Sequence, residues 1–228
     1  MLRLCLLGGF RLLQNDRPIR LSASPRRLLG MLAVHALPLP RAYVAGRLWP
    51  DVRQERAAAN LRSAIWRIRG QEVDVIRVSG DQLGLQPDVE VDFKEAATRA
   101  RRLLHGEIPN PADLDWSAMA TDLLPDSDDD WIAGERERYR QLRLHALEAL
   151  AHQLSGLGRH ALAIDAGLSA VAAEPLRESA HRVLVEAFLA EGNAGEALTE
   201  YLSYQRLARR DLKTEPSPEL RALVRNLL

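Results

Sequence analysis

The sequence is poor in cysteine and has no long apolar run. Cys5 is the only cysteine among 228 residues, which excludes an internal disulfide framework and a cysteine-rich zinc site. No stretch approaches the roughly 20 apolar residues of a membrane-spanning helix, and the apolar opening at residues 2–7 is too short for a signal peptide. We therefore expect a cytoplasmic protein without membrane contact.

The residue patterns of catalytic, nucleotide and metal sites are also absent. No lysine of a phosphate-binding loop follows Gly8 and Gly9, and no serine, histidine and aspartate set surrounds a nucleophile elbow. His145 and His152 are seven residues apart, a spacing that does not match the i, i+4 pair of a helical metal site. We predict that the protein is not an enzyme and binds no metal or cofactor.

Positive charge is concentrated near the N-terminus and comes from arginine. Residues 1–80 contain 14 arginines and five acidic residues, whereas the whole chain has no net charge. Lysine occurs only at Lys94 and Lys213. A GC-rich genome explains an abundance of arginine, but it does not explain this segregation. Because arginine binds phosphate and guanine through paired hydrogen bonds, the pattern makes double-stranded DNA the first partner to consider.

The first 91 residues combine strand and helix signals. Three short apolar runs, at residues 2–7, 10–13 and 19–21, predict a small antiparallel sheet. Alternating apolar residues on both sides of Gly80 and Asp81 predict a β-hairpin. Between the sheet and the hairpin lie three segments with helical signals.

The first of these helices is predicted over residues 25–35, with Ser24 as its N-cap, and the second over residues 41–49. A third helix should begin between residues 52 and 55, because Asp51 and Gln54 have the spacing of a capping box. It should end at Gly70. Sheet, three helices and hairpin follow one another in the order of a winged helix, in which the second and third helices form the helix-turn-helix.

The third helix has two chemically different faces. The predicted core face carries Ala58, Leu61, Ala64, Ile65 and Ile68. The opposite face carries Arg56, Ala59, Arg62, Ser63, Trp66 and Arg67, with Asn60 at the boundary. Asparagine pairs with adenine in the major groove, and arginine pairs with guanine. We therefore predict that Arg56, Asn60, Arg62, Ser63, Trp66 and Arg67 bind DNA.

Other predictions near this helix leave alternatives open. Trp66 either contacts a thymine methyl or the DNA backbone, or packs against the wing or the first helix. Arg26, Arg27 and Arg77 are predicted to bind phosphates, although an ordinary solvated role for any one of them explains the sequence equally well.

Residues 92–228 show helical apolar spacing and no strand signals. Gly158 and Gly192 are 34 residues apart, and Ala163 and Ala197 repeat at the same offset, which is the period of tetratricopeptide repeats. The acidic residues 126–130 lack the pattern of a calcium loop and are expected to cap a helix that begins near Trp131. We predict an α+β winged-helix domain over residues 1–91 and an all-α, tetratricopeptide-like domain over residues 92–228.

Several short strings support a family resemblance. In chain order they are Leu48-Trp49-Pro50-Asp51, Asn60-Leu61-Arg62-Ser63, Arg67-Ile68-Arg69, Val91-Asp92, Asp130-Trp131, residues 135–138, residues 141–150, Leu157-Gly158-Arg159 and residues 215–220. Their order and spacing resemble those of the Streptomyces antibiotic regulatory protein family. Its members carry an OmpR-type winged helix followed by a bacterial transcriptional activator domain with tetratricopeptide-like helices.

The resemblance implies a transcriptional activator. Two protomers are expected side by side on direct repeats near promoters, where they recruit RNA polymerase. Larger members carry an ATPase or phosphopeptide-binding module after the activator domain, and we expect neither module here because the sequence stops at Leu228. The alternative is a tetratricopeptide adaptor whose winged helix contacts proteins or binds DNA without sequence preference. The arginine and asparagine face of the third helix favours the regulator.

Overall fold

The structure is a computed structural model, and it describes residues 1–107 and 116–227. The chain divides into two compact units. The first comprises Met1–Ala96 together with Asp122–Tyr139, and the second comprises Ala97–Thr121 together with Arg140–Leu228. The predicted domain boundary between residues 91 and 92 stays a prediction. The membership of segment 122–139 in the first unit was not predicted.

The first unit opens with a four-stranded sheet. Its strands are β1 (Leu2–Cys5), β2 (Arg11–Gln14), β3 (Arg17–Ile19) and β7 (Val89–Val91), in the spatial order β3-β2-β1-β7. The first three strands are antiparallel, as predicted, and the turn between β2 and β3 places Asn15 and Asp16 in the left-handed region, with φ of 49° and 63°. β7 pairs with β1 in parallel and was not predicted.

Three helices and a second sheet complete the winged helix. The helices are α1 (Ala23–Val34), α2 (Arg41–Leu48) and α3 (Gln54–Arg69). The predicted hairpin is present as β5 (Ile76–Ser79) and β6 (Gln82–Leu85), and β4 (Leu39–Pro40) adds a third strand next to β6. Pro40 has no backbone N–H to donate, and it lies at the edge of this small sheet, where proline is tolerated.

Two helix starts differ from their predictions. The N-cap of α1 is Ser22 and not Ser24, so that the helix begins earlier and Pro25 is buried within its first turn. The N-cap of α3 is Arg53, which makes no side-chain capping bond, so the capping box predicted for Asp51 and Gln54 is wrong. The observed start at Gln54 nevertheless lies within the predicted range of residues 52–55.

The buried face of α3 is close to its prediction. Leu61, Ala64, Ile65 and Ile68 are buried as expected. Ala57 is the buried alanine of the first turns, whereas Ala58 is only half-buried. Ala57 lies four residues before Leu61 and shares its face, whereas Ala58 lies about 100° further around a helix with 3.6 residues per turn.

The segment 122–139 packs within the first unit. Leu7 and Leu123 form an isolated β-bridge, and the backbone N–H of Leu124 donates to Leu6 O at 2.8 Å. Arg136 donates to the carbonyls of Leu123, Leu124 and Ser127, which ties this loop to the first turns of α5 (Asp130–Gly156). The helix expected near Trp131 is therefore confirmed, and it begins at Asp130.

The described part of the second unit is helical. Besides parts of α4 (Asp92–Leu104) and α5, it contains a 3₁₀ turn (Ser117–Ala120), α6 (His160–Ala173), α7 (Glu178–Glu191), α8 (Ala194–Leu207), a π-helical turn (Ala208–Leu212) and α9 (Pro218–Leu223). None of the described helices combines the length and apolar character that crossing a membrane requires.

The predicted helical repeat is visible in the second unit. Gly158 and Gly192 follow α5 and α7 with φ of 71° and 89°, a conformation that favours glycine at helix C-termini. Ala163 on α6 and Ala197 on α8 are completely buried, as expected for positions where helices approach closely. The winged helix followed by a tetratricopeptide-like helical domain is thus confirmed.

Candidate nucleic-acid interface

Hydrogen bonds hold the helix-turn-helix and the wing in place within the first unit. The guanidinium of Arg27 on α1 donates to Leu48 O, the last residue of α2, at 2.6 Å. The backbone N–H of Arg41, the first residue of α2, donates to Asp81 O in the wing turn at 2.9 Å. Both ends of α2 are therefore fixed, one to α1 and the other to the wing.

The predicted DNA-binding residues of α3 lie outside the core. Five are exposed, namely Arg56, Arg62, Ser63, Trp66 and Arg67, and Asn60 is half-buried. The same helix buries its apolar face through Leu61, Ala64, Ile65 and Ile68. Because that face is fixed in the core, the polar and basic residues are held on the surface of a rigid helix.

Four exposed arginines that were predicted to bind DNA have no intramolecular partner in the described part of the chain. Arg56, Arg62 and Arg67 lie on α3 and Arg77 lies on β5 of the wing, and none makes an ion pair or side-chain hydrogen bond there. A guanidinium has five N–H donors and strongly favours an anionic partner. Unpaired guanidinium groups on a helix-turn-helix and its wing suit DNA phosphates and guanine edges.

Arg26 and Arg27 have intramolecular partners instead. Arg26 pairs with Asp126 at 2.7 Å, and Arg27 donates to Asp129 at 2.9 Å as well as to Leu48 O. The carboxylates belong to the segment 122–139, and contact between this segment and α1 was not predicted. Both arginines, which were predicted to bind phosphates, therefore form ion pairs with aspartates. We do not include them in the candidate interface.

Aromatic side chains are also exposed in this region. Trp66 is 74% exposed, so it is not packed into the wing, although it borders a shallow groove formed with residues 20–22 and Pro25 at the start of α1. Tyr43, in the first turn of α2, is 45% exposed and was not singled out from the sequence. Its exposure could have been predicted from the sequence, because Tyr43 directly precedes the apolar Val44 on a short helix and therefore points in a different direction.

The charge segregation in the sequence takes a different form in the structure. The first unit contains the arginine-rich residues 1–80, but it also contains residues 122–139, which carry seven acidic and two basic side chains. The unit as a whole is therefore less positive than residues 1–80. Exposed arginines without a side-chain partner in the described residues lie on α3 and the wing, and also at Arg3, Arg11, Arg17 and Arg20 around the first sheet and at Arg47 on α2.

The described residues give little support for chemistry at this surface. Within residues 1–107 and 116–227, no three histidine, cysteine, aspartate or glutamate side chains are grouped so that they could hold a metal ion. Burial, and next the Asp92 carboxylate, raise the pKa of the Cys5 thiol, which disfavours the reactive thiolate.

Comparisons with known proteins agree with this architecture. A family model described as the bacterial transcriptional activator domain matches residues 88–228. Over 243 aligned residues, which include the whole chain, the sequence is 26% identical to the regulatory protein AfsR of Streptomyces griseus. The fold is similar to Mycobacterium tuberculosis EmbR in complex with a low affinity phosphopeptide, with a TM-score of 0.72 and 20% identity over 99% of this chain. The chain spans 24% of AfsR and 64% of the EmbR chain.

Proposed function

The chain belongs to the bacterial transcriptional activator domain family, and from this membership we propose that it is a sequence-specific DNA-binding regulator of transcription. The resemblance to the Streptomyces antibiotic regulatory proteins, first seen in short sequence strings, is confirmed by the family match and the similarity to AfsR. The proposed role involves binding and no catalysis.

One observation supports DNA binding above the others. The exposed face of α3 presents Arg56, Arg62 and Arg67 without intramolecular partners in the described residues, and it also carries Ser63 and Trp66. These side chains project from the second helix of a helix-turn-helix, the element that enters the major groove in proteins of this architecture. Arg77 on the wing is proposed to bind a phosphate beside the groove.

The proposed partners follow from the family. Two protomers are proposed to bind direct repeats near a promoter, and the helical second unit is proposed to contact RNA polymerase. The buried alanines and glycine turns of that unit support a repeat scaffold, which is an architecture that commonly presents protein-binding surfaces.

The competing function is an adaptor whose winged helix contacts proteins or binds DNA without sequence preference. Selection of bound fragments from a random DNA library, followed by salt titration on selected and random DNA, separates the two functions. A regulator should bind selected DNA typically 10³-fold or more tightly than random DNA. Binding with equal affinity to both, and with a steep salt dependence, would support only electrostatic contact.

Substitution of α3 arginines tests the proposed contacts. We expect Arg62→Ala and Arg67→Ala each to weaken binding to the selected DNA, by about 1–3 kcal/mol for a lost base contact. A lost phosphate contact would instead lower the salt slope by about one. Arg225→Ala removes an exposed arginine from the second unit and should leave the affinity unchanged. Unaltered binding by both α3 variants, with the fold intact, would reject α3 as the recognition helix.

A further inference from the structure

A cavity of about 530 Å³ lies in the first unit, away from the α3 side chains proposed to bind DNA. It is formed by the loop after β1, by α1 and by the segment 122–139. This volume lies within the range of roughly 300–1,000 Å³ that is typical of small-molecule sites. Gly30 forms part of its wall, where a Cβ atom would lie 3.3 Å from Leu124 Cδ1 and 3.6 Å from Trp131 Cη2.

The wall offers aromatic surface. Phe10 and Trp131 both line the cavity, and the guanidinium of Arg26 lies 5.4 Å from the centre of the Phe10 ring. Aromatic faces attract cations and stack with planar rings. Trp131 is only 7% exposed, and its indole N–H has no hydrogen-bond partner within the described residues. Buried indole N–H groups usually have an acceptor, so this donor is unusual, but it does not by itself select the charge of a ligand.

The cavity wall carries more acidic than basic side chains. Arg26 and Arg27 are matched by Asp126 and Asp129, with which they form ion pairs. Asp128 also lines the cavity, and it makes no ion pair or side-chain hydrogen bond within residues 1–107 and 116–227. One carboxylate therefore remains uncompensated beside two aromatic rings.

We propose that this cavity is a binding site for a small planar organic cation, such as a protonated aromatic amine, which stacks on Phe10 and Trp131 and pairs with Asp128. An organic anion would meet the uncompensated carboxylate, and both arginines are already engaged. A purely aliphatic ligand would leave the aromatic surface without its favoured partners. The site does not depend on the proposed DNA contacts, because it shares no side chain with the exposed face of α3.

Two dyes with the same ring system and opposite charges test the site. Proflavine is a planar tricyclic cation, and acridine carboxylate is its anionic counterpart. We expect calorimetric titration of the nuclease-treated full-length chain to show tighter binding of proflavine by about twofold to fivefold, the effect of one exposed charge pair. Asp128→Asn should remove this preference, whereas Asp88→Asn, which alters an exposed aspartate on the same unit outside the cavity, should preserve it.

A third variant tests the location. Ala23→Phe places a bulky ring at an exposed position in the cavity wall and should abolish binding of the cation. The indole ¹H–¹⁵N signal of Trp131, assigned by Trp131→Phe, should move during the proflavine titration. No binding of proflavine, a preference for the anion, full binding by Ala23→Phe or an unmoved Trp131 signal would each overturn the proposal.

Discussion

At the scale of single residues, an intramolecular partner distinguishes Arg26 and Arg27 from the arginines proposed to bind DNA. Arg26 lies in the first turn of α1 and Arg62 lies in the middle of α3. Both were predicted from the sequence to bind DNA. The carboxylate that engages Arg26 lies 100 residues further along the chain. Sequence periodicity predicts which face of α3 points outward, but it carries no signal for a contact at that separation.

Trp66 provides a test of the exposed face that does not depend on charge. Because its side chain is 74% exposed, we expect Trp66→Ala to change the free energy of unfolding by less than about 0.5 kcal/mol. Its affinity for selected DNA should fall by about 1 kcal/mol if the indole contacts a thymine methyl or the sugar-phosphate backbone. Chemical denaturation and DNA titration on the same variant measure both effects. Lower stability with unchanged affinity would assign Trp66 to packing.

A carboxylate in the second unit has unusually close partners. Glu148 on α5 accepts hydrogen bonds from Arg177 at 2.7 Å and from Ser179 at 2.6 Å, and both carboxylate and guanidinium are largely buried. Burial alone would raise the pKa of Glu148, but the hydrogen bonds from Arg177 and Ser179 outweigh it and lower the pKa. The ionised carboxylate therefore stabilises the fold.

We expect Glu148→Gln to lower the free energy of unfolding at pH 7 by roughly 2–4 kcal/mol, because Arg177 would lose its anionic partner. A lowered pKa stabilises the fold above the ordinary carboxyl pKa, and this stabilisation disappears as the pH falls through the folded-state value. The variant and the original protein should therefore converge only when the pH falls below the lowered folded-state pKa of Glu148. Glu191→Gln, at an exposed position of α7, should show no such difference. A penalty that is independent of pH would contradict the role of the charge.

At the scale of secondary structure, long amphipathic elements were predictable and short paired strands were not. The bounds of α2 and α3 are close to their predictions because each helix repeats its apolar residues over two or more turns. β4 contains two residues and β7 contains three, which is too short for a period to be seen. Each is defined by a distant partner, β6 for β4 and β1 for β7. The strand β4 lies directly before α2, and it was not predicted.

The contact between helices at Ala197 gives a test of the repeat. Ala197 is completely buried on α8 and packs with Val185, Tyr201 and Tyr204. Ala197→Leu should overpack this core and lower the free energy of unfolding of the second unit by about 1–3 kcal/mol. Repeat helices contact mainly their neighbours, so the affinity for DNA should be preserved. Thermal unfolding and DNA titration measure the two effects.

Gly195 offers a matched control on the same helix. A Cβ atom at Gly195 would meet no other atom within 4 Å, so Gly195→Ala should leave stability unchanged or raise it by about 0.5–1 kcal/mol. An unchanged melting temperature for Ala197→Leu would contradict close packing of helices at Ala197, on which the repeat interpretation depends.

At the scale of the whole molecule, the compact units do not follow the order of the chain. The family match begins at residue 88, yet part of the matched region, Asp122–Tyr139, belongs to the first unit. Leu123, Leu124, Trp131 and Ile132 of this segment are buried. Composition suggested two separate domains because charge and strand signals change near residue 91. It gave no indication that a later apolar and acidic segment completes the first core.

This arrangement predicts that residues 1–96 are incomplete by themselves. The fragment lacks the strand partner of Leu7 and the aspartates that engage Arg26 and Arg27. A synthetic peptide of residues 122–139 should bind the fragment and stabilise it by about 2.7 kcal/mol at a hundredfold excess over its Kd. The melting temperature should then rise by roughly 10 °C or more, since 1 kcal/mol corresponds to about 4–8 °C in a domain of this size.

The control is the same peptide with Leu123→Ala and Trp131→Ala, which keeps every aspartate and removes two large buried side chains. Because ion pairs at exposed positions contribute at most about 1 kcal/mol each, apolar burial should dominate the binding. The control peptide should therefore bind far more weakly than the original and leave the melting temperature nearly unchanged. An equal effect of both peptides would show that charge alone attracts the segment, and no effect of either would mean that residues 1–96 form a complete core without it.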